Sequence, residues 1–256
     1  MLLAVDIGNT NITLGIFEND VYLKEFRLPS DIFMSESEYH KQFSNLLKDF
    51  RIEGCIVASV VDELNEKIKN VLDNILKLDS IFISYGMNLG FGVDAQNPSE
   101  VGADRLANAA AVSNFKGSVV IVLDFGTATT FDIIDSNGIF FGGIIAPGVK
   151  TQLKSLNVST SKLPEIEPDL SPAAVARNTK DAILSGVVRG TACMVDGLIS
   201  QCETELGQKA IVVATGGYCS LISKYVSRKF DVEDPILTLK GLRIIYSHLV
   251  ASASSI

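Results

Sequence analysis

The sequence predicts an α/β chain made of two related halves with a cleft between them, and three observations predict it. Leu3-Ala4-Val5-Asp6-Ile7-Gly8-Asn9-Thr10 recurs as Val122-Leu123-Asp124-Phe125-Gly126-Thr127-Ala128-Thr129, with the two aspartates 118 positions apart (124 − 6). At the same offset, without a gap, Ile16 falls on Ile134 and Asn19 on Asn137. Each copy therefore reads as an apolar strand ending in Asp-x-Gly, a second strand, a polar reversal at Asn19-Asp20 or Asn137-Gly138, and the start of a third strand. Beyond the first triplet, helical patterns alternate with short β-rich runs, which implies a sheet covered by helices. A chain of 256 residues has room for two domains, and the repeat divides it into halves 1–112 and 113–256.

The elements follow in order. Phe43, Leu46, Leu47 and Phe50 stand at helical spacing within 36–50, and 55–60 is a short strand. Residues 62–76 carry Leu64, Ile68, Val71, Leu72, Ile75 and Leu76 on one stripe, an amphipathic helix for which Asp62 is the expected N-cap. A strand at 80–84 precedes a helix at 102–115 rich in small side chains (Ala103, Ala107, Ala109, Ala110, Ala111), suited to close packing where the halves meet. The second half opens with 119–123, an apolar run of the kind found in strands buried on both faces. Two more strands cross the Asn137-Gly138 turn, and Gly142-Gly143-Ile144-Ile145-Ala146-Pro147-Gly148 ends the block with a helix starting near Pro147. Residues 157–171, polar and carrying Pro164 and Pro168, are the expected mobile segment. Helices at 179–206 and 239–249 then flank a strand at 210–214 that runs into Thr215-Gly216-Gly217.

Composition excludes several function classes. A net charge of −8 argues against a duplex nucleic-acid partner, because neutralising phosphates takes clustered Lys and Arg. No uninterrupted apolar run approaches the roughly 18 residues of a membrane span, and the N-terminus has no basic segment of a secretory signal. Cys55, Cys193, Cys202 and Cys219 are scattered without a C-x-x-C, which argues against zinc and against a disulfide framework and fits a reducing cytoplasm.

Anionic ligands must then be met locally. In Asp6-Ile7-Gly8-Asn9-Thr10 and Asp124-Phe125-Gly126-Thr127 a strand-end carboxylate precedes a glycine that lets backbone approach a phosphate, with amide and hydroxyl donors beside it. A lone Asp-x-Gly is most often an ordinary hairpin turn. Two copies at a fixed offset, with Thr215-Gly216-Gly217 after a further strand, point instead to a nucleotide-phosphate site. Neither G-x-x-x-x-G-K-[ST] nor a strand-linked G-x-G-x-x-G occurs, which removes the P-loop and dinucleotide folds. Gly102-Ala103-Asp104-Arg105 opens a helix, placing a carboxylate in the positive field of the helix start beside a planar guanidinium fork. Read alone, this is a helix-start aspartate with a solvated arginine; next to a phosphate site, it is a carboxylate able to accept the proton of an alcohol. His40 and His248 stand away from every motif.

What remains is the duplicated nucleotide-binding architecture of sugar kinases, heat-shock proteins and actin, which this chain resembles at both hairpins and at Thr215-Gly216-Gly217. That resemblance implies two ribonuclease H-like halves of the actin-like ATPase type. Five segments narrow it further: Asp6-Ile7-Gly8-Asn9-Thr10; Gly102-Ala103-Asp104-Arg105; Asp124 through Asp132; Gly142-Gly143-x-Ile145-x-Pro147-Gly148; and Asn178-Thr179-x-x-Ala182-x-x-Ser185-Gly186. Their order resembles that of type III pantothenate kinases over nearly the whole chain. The resemblance implies ATP-dependent phosphorylation of pantothenate in the cytoplasm, the first step toward coenzyme A, by a homodimer with a shared active site. Asp6, Ile7, Gly8, Asn9, Thr10, Asn11, Ile12 and Thr13 would form the first phosphate-binding segment, with Asp6 near Mg²⁺, and Thr127 would contact ATP. Gly102, Ala103, Asp104 and Arg105 would bind pantothenate, with Asp104 as general base. Asp124 would hold a monovalent cation, K⁺ or NH₄⁺, and Thr179 would contact substrate, that of the neighbouring subunit in a shared site. One position departs from the family pattern: Ala95 stands seven residues before Gly102, where the family usually has Tyr. Two alternatives share the fold: a kinase of another small hydroxyl or carboxylate acceptor, and a nucleotide-gated regulatory protein without enzymatic activity.

Overall fold

The computed structural model describes residues 1–171 and 173–253. Strands β1 (Leu2–Ile7), β2 (Asn11–Glu18) and β3 (Val21–Pro29) form an antiparallel meander, followed by α1 (Glu36–Leu47), β4 (Gly54–Ser59), α2 (Asp62–Leu76), the short β5 (Ile81–Phe82) and α3 (Ala103–Val112). The chain then repeats the plan with β6 (Val119–Phe125), β7 (Ala128–Ile134), β8 (Phe140–Pro147), α4 (Val149–Val158), α5 (Thr179–Leu184), α6 (Gly190–Leu206), β9 (Ala210–Thr215), α7 (Cys219–Ile222) and β10 (Val232–Glu233), and closes with α8 (Leu237–Ala253). Sheet order is β3-β2-β1-β4-β5 in the first copy and β8-β7-β6-β9-β10 in the second, so the two sheets share one topology. In both, the first strand is antiparallel to its hairpin partner and parallel to the strand on its other side.

The hairpins differ by one residue, which the gap-free sequence match does not reveal. Asp6 pairs with Thr13 across a three-residue turn, Gly8-Asn9-Thr10, whereas Asp124 pairs with Thr130 across a two-residue turn, Gly126-Thr127. Past the turn the structural equivalents are therefore Asn11 and Ala128. Their partners on the third strand are Pro29 and Pro147, again 118 apart (147 − 29). Each copy carries the same bulge, beside Ile16 and beside Ile133, and the difference is made up in the next turn, which is one residue longer between Ile134 and Phe140 than between Phe17 and Tyr22.

The helices start and stop for local reasons. Ser35 caps α1 in a complete capping box with Glu38. For α2 the cap position is Val61, with no side-chain bond, and Asp62 is the first helical residue rather than the cap; its charge still suits the helix start. Lys77 ends α2 in the left-handed region.

Met1–Val112 packs with α8 as one compact unit, and Ser113–Ile236 forms the other. In the first unit, Leu3, Val5, Ile7, Leu14 and Val57 meet Tyr39 and Phe43 of α1 and Leu64, Ile68 and Leu72 of α2 in one core. The opposite sheet face takes α3 and α8. Gly15 and Gly54 leave flat seats there for Leu239 and Tyr246. The small side chains of α3 accommodate α8, for a Cβ at Gly241 would collide with the Ala107 carbonyl. Thus α8, which follows the second half in sequence, belongs by packing to the first sheet: its buried Leu239, Leu242 and Ile245 find their partners on it. In the second unit, β6, β7 and β9 contribute Ile121, Leu123, Phe131 and Val212 to a core closed by Leu153, Leu184, Val188, Val195 and Ile199.

α5, a single π-helical turn at Ser185–Arg189 and α6 run on as one helix, Thr179–Leu206, of 28 residues. Its most apolar 18-residue window has a mean hydropathy of 1.5, long and apolar enough by composition to cross a membrane, although interspersed Gly, Ser and Arg leave no uninterrupted apolar run. Its inner face is core. The segment 159–178 has no regular secondary structure among its described residues, but Ser171 is buried, accepts from Arg189 Nε at 3.1 Å, and exchanges hydrogen bonds with Tyr225 Oη through its N–H (2.9 Å) and carbonyl (3.1 Å).

Candidate active site

In the first unit the sequence-predicted residues converge at the carboxyl ends of β1 and β4. Asp6 is half-buried near the end of β1, Ile7 and Ile12 are fully buried core residues that can offer a ligand only backbone, and Asn9, Thr10 and Asn11 are exposed. The turn is closed by the Gly8 N–H donating to the Asn11 carbonyl at 3.0 Å. Ser30, which no motif singles out, grips the same turn twice. Its N–H donates to the Thr10 carbonyl at 3.0 Å and its hydroxyl to the Gly8 carbonyl at 2.5 Å.

Asp104 reaches this region through a short chain of contacts. The Val60 N–H, just past β4, donates to the Ile7 carbonyl at 3.0 Å. A Cβ built on Gly102 would lie 3.4 Å from Val60 Cγ1 and 2.6 Å from Asp104 Oδ1, so glycine leaves the room in which the carboxylate folds back over the start of α3. The Arg105 N–H donates to Asp104 Oδ1 at 2.8 Å. Asp104 keeps a window to solvent, yet the surrounding protein pushes its carboxyl above the usual aspartate range, against the opposing pull of the Arg105 N–H and guanidinium. A carboxylate so placed is a stronger base than a solvated one.

In the second unit, Asp124 pairs with Thr130 on one side and Thr215 on the other. Gly216, at φ +91°, brings the next turn so close that a Cβ would collide with Asp124 Oδ1, and the Tyr218 N–H donates to the Phe125 carbonyl at 3.1 Å. Thr127 is exposed, and its carbonyl accepts from the Gly148 N–H at 3.1 Å and from Thr151 Oγ1 at 2.7 Å. Three segments therefore meet at one turn: the hairpin carrying Asp124 and Thr127, Gly148 and Gly216. Thr151 is a contact that sequence inspection missed; its hydroxyl binds a backbone carbonyl, which no residue pattern marks.

Thr179 lies elsewhere in that unit, exposed on the first turn of α5 behind the Asn178 cap, which accepts from the Asp181 N–H at 2.9 Å. With Gln152, Arg177, Gly186 and Val187 it lines an open cavity of about 990 Å³, which neither Asp6, Asp104, Arg105 nor Asp124 lines. From Thr179 onward the long helix exposes Ala182, Gly186, Gly190, Cys193 and Gly197 along one face, and a Cβ at any of these glycines would meet nothing within 4 Å.

The residues present fit the implied ions in chemical kind. Among the described residues no three His, Cys, Asp or Glu side chains converge as a metal cage. A divalent ion at Asp6 would thus be held by one carboxylate with phosphate oxygens and water, the shell Mg²⁺ favours. At Asp124 a half-buried carboxylate packed against the Gly216 turn supplies one oxygen ligand of the hard kind a monovalent cation takes.

Residues 2–201 match the family model described as type III pantothenate kinase. The type III pantothenate kinase of Dehalococcoides mccartyi (strain CBDB1) is 42% identical over 250 residues, covering 96% of this chain and 95% of that protein. That of Moorella thermoacetica is 40% identical over 254 residues, covering 96% and 98%. Two solved structures share the fold. A ROK family glucokinase from Streptomyces griseus in complex with glucose and AMPPNP superposes with a TM-score of 0.55 at 12% identity, over 96% of this chain and 98% of that one. The activator of the 2-hydroxyisocaproyl-CoA dehydratase from Clostridium difficile with bound ADPNP does so with a TM-score of 0.54 at 11% identity, over 100% and 97%. Two sheets of one topology, the Asp-x-Gly turn in each and the match along nearly the whole sequence lead to one assignment: the chain belongs to the type III pantothenate kinase family.

Proposed function

We propose that this protein transfers the γ-phosphoryl group of ATP to the terminal hydroxyl of pantothenate, forming 4'-phosphopantothenate and ADP, with Asp104 as the general base. The observation that carries the reading is the desolvated Asp104 carboxylate at the start of α3, linked through Gly102, Val60 and Ile7 to the turn after Asp6. Asp104 orients the pantothenate hydroxyl and accepts its proton as the oxygen attacks phosphorus, while the electron pair of the breaking bond leaves on ADP. Arg105 pairs its guanidinium with the substrate carboxylate. The exposed Asn9, Thr10 and Asn11, with the backbone of the segment Asp6 to Thr13 behind them, meet the phosphate oxygens, and Thr127 makes a second nucleotide contact. Mg²⁺, held by Asp6, would neutralise phosphate charge, and K⁺ or NH₄⁺, held by Asp124, would complete the charge balance beside the second turn.

Two copies would share each site. The smooth face from Ala182 to Gly197 lets a partner helix approach closely, and a dimer formed there would carry Thr179 toward the neighbour's pantothenate. Four free cysteines, two of them buried, fit a reducing cytoplasm.

The deciding experiment measures ADP release from ATP with pantothenate, glucose, glycerol and acetate side by side, with and without K⁺. Release that depends on pantothenate and on the monovalent cation is the expected result. Equal release with another acceptor, or none with any, overturns the reading.

A further inference from the structure

We propose that Ser30 is a positioning residue for the turn Gly8-Asn9-Thr10, holding its carbonyl groups on the protein side so that the Asn9 N–H faces the nucleotide phosphates. The inference rests on the reading of that turn as a phosphate site. The Ser30 hydroxyl donates to the Gly8 carbonyl at 2.5 Å and the Ser30 N–H to the Thr10 carbonyl at 3.0 Å, so one residue grips the turn at both ends. Because a trans peptide is planar with its C=O and N–H opposed, holding the Gly8 carbonyl on Ser30 directs the Asn9 N–H away from Ser30.

The second copy of the fold keeps the backbone half of this grip and lacks room for the hydroxyl half. Pro29 and Pro147 occupy equivalent places opposite Asn11 and Ala128, so Ser30 corresponds to Gly148. The Gly148 N–H donates to the Thr127 carbonyl at 3.1 Å, as that of Ser30 does to Thr10. A Cβ on Gly148 would collide with the Gly126 carbonyl, the counterpart of the Gly8 carbonyl that Ser30 binds. The shorter second turn leaves no room for a side chain there, and the nearby Thr151 hydroxyl donates at 2.7 Å to the Thr127 carbonyl, the counterpart of Thr10, and not to that of Gly126. The longer first turn admits a serine, and a serine stands there.

Ser30 is itself held rigidly. The fully buried Tyr39 accepts from the Asp31 N–H at 2.9 Å and donates to the Asp31 carbonyl at 3.1 Å. Lys67 Nζ donates to the Ile32 and Met34 carbonyls at 2.9 and 2.6 Å. Helices α1 and α2 thereby fix the segment that fixes the turn.

The test compares the full-length protein with Ser30→Ala and Ser30→Thr, measuring affinity for a non-hydrolysable ATP analogue by calorimetry, the KM values for ATP and pantothenate, and Tm. Ser30→Ala is expected to weaken nucleotide binding about fivefold to tenfold, the worth of one hydrogen bond, with the KM for pantothenate unchanged and Ser30→Thr restoring nucleotide affinity. A folded Ser30→Ala protein that binds the analogue within about twofold of wild type overturns the proposal, even if its Tm is lower. Calorimetry needs no acceptor, so it decides the role of Ser30 even where ADP release proves independent of pantothenate and the proposed reaction fails.

Discussion

At the scale of single residues, Asp104, the proposed general base, places function and stability in opposition. Its carboxyl is raised above the aspartate range in the folded chain, so the stability linked to its protonated form is complete below the unfolded value, about 4, and is lost as pH rises through the folded value. The deprotonated, desolvated carboxylate, the form a general base must take, therefore holds the fold less well than the protonated one. Asp104→Asn is expected to bind ATP normally and lose turnover by about 10² to 10⁴, while its Tm at pH 7.5 exceeds that of wild type by a margin that closes in acid. Thermal scans across pH beside turnover assays check both effects; near-normal turnover would remove Asp104 from the chemistry. Gly216 is constrained by geometry instead, since φ +91° and the closeness of Asp124 both forbid a Cβ. Gly216→Ala is expected to cost about 2 kcal/mol or more in urea unfolding. Asp104 and Gly216 are both legible in the sequence because a motif surrounds each. Ser30 and Thr151 are not, because they bind carbonyl oxygens, which every residue carries and no pattern distinguishes.

Among the elements, periodicity identified α2 and the two hairpins correctly, since each buries one face against its own sheet. The small residues of α3 were legible as a close-packing surface, but their partner was not. That partner is α8, more than a hundred residues downstream, where Gly241 passes over the Ala107 carbonyl. Gly241→Val is expected to cost about 3 kcal/mol or more by forcing the two helices apart, read from the midpoint of chemical denaturation. At the end of α6, Glu203 joins helix to sheet. Desolvation opposes its charge, but bonds from Lys209, the Ala210 N–H and Arg228 outweigh that penalty and lower its carboxyl to about 2. A depressed carboxylate adds stability above its unfolded value, and that stability disappears as pH falls through the folded one. Glu203→Gln is therefore expected to lower Tm at neutral pH and to match wild type as pH approaches about 2; an equal deficit at both ends of the range would count against the charge as the cause.

For the whole molecule, the prediction concerns assembly. Gly190 lies midway along the exposed small-residue face of the long helix, with open space where its side chain would be. Gly190→Trp is expected to give a folded monomer whose pantothenate-dependent turnover falls on the order of 10²-fold, because the proposed interface would no longer hold Thr179 at a partner's substrate. Light scattering coupled to size exclusion checks the mass; an active dimer would move the interface elsewhere. The sequence by itself determined the duplication, the order of the longer strands and helices, short of α7 and β10, and the motif residues, because hydrophobic period and Asp-x-Gly spacing are local properties that survive without coordinates. Only the tertiary structure decided that the first turn is one residue longer than the second, that α8 joins the first sheet, and that Gly102 and Val60 carry Asp104 to the strand ends. Each of these depends on which surfaces meet across long stretches of chain. Such meetings are settled by shape and burial, and a linear pattern records the need for a partner without recording which partner it is.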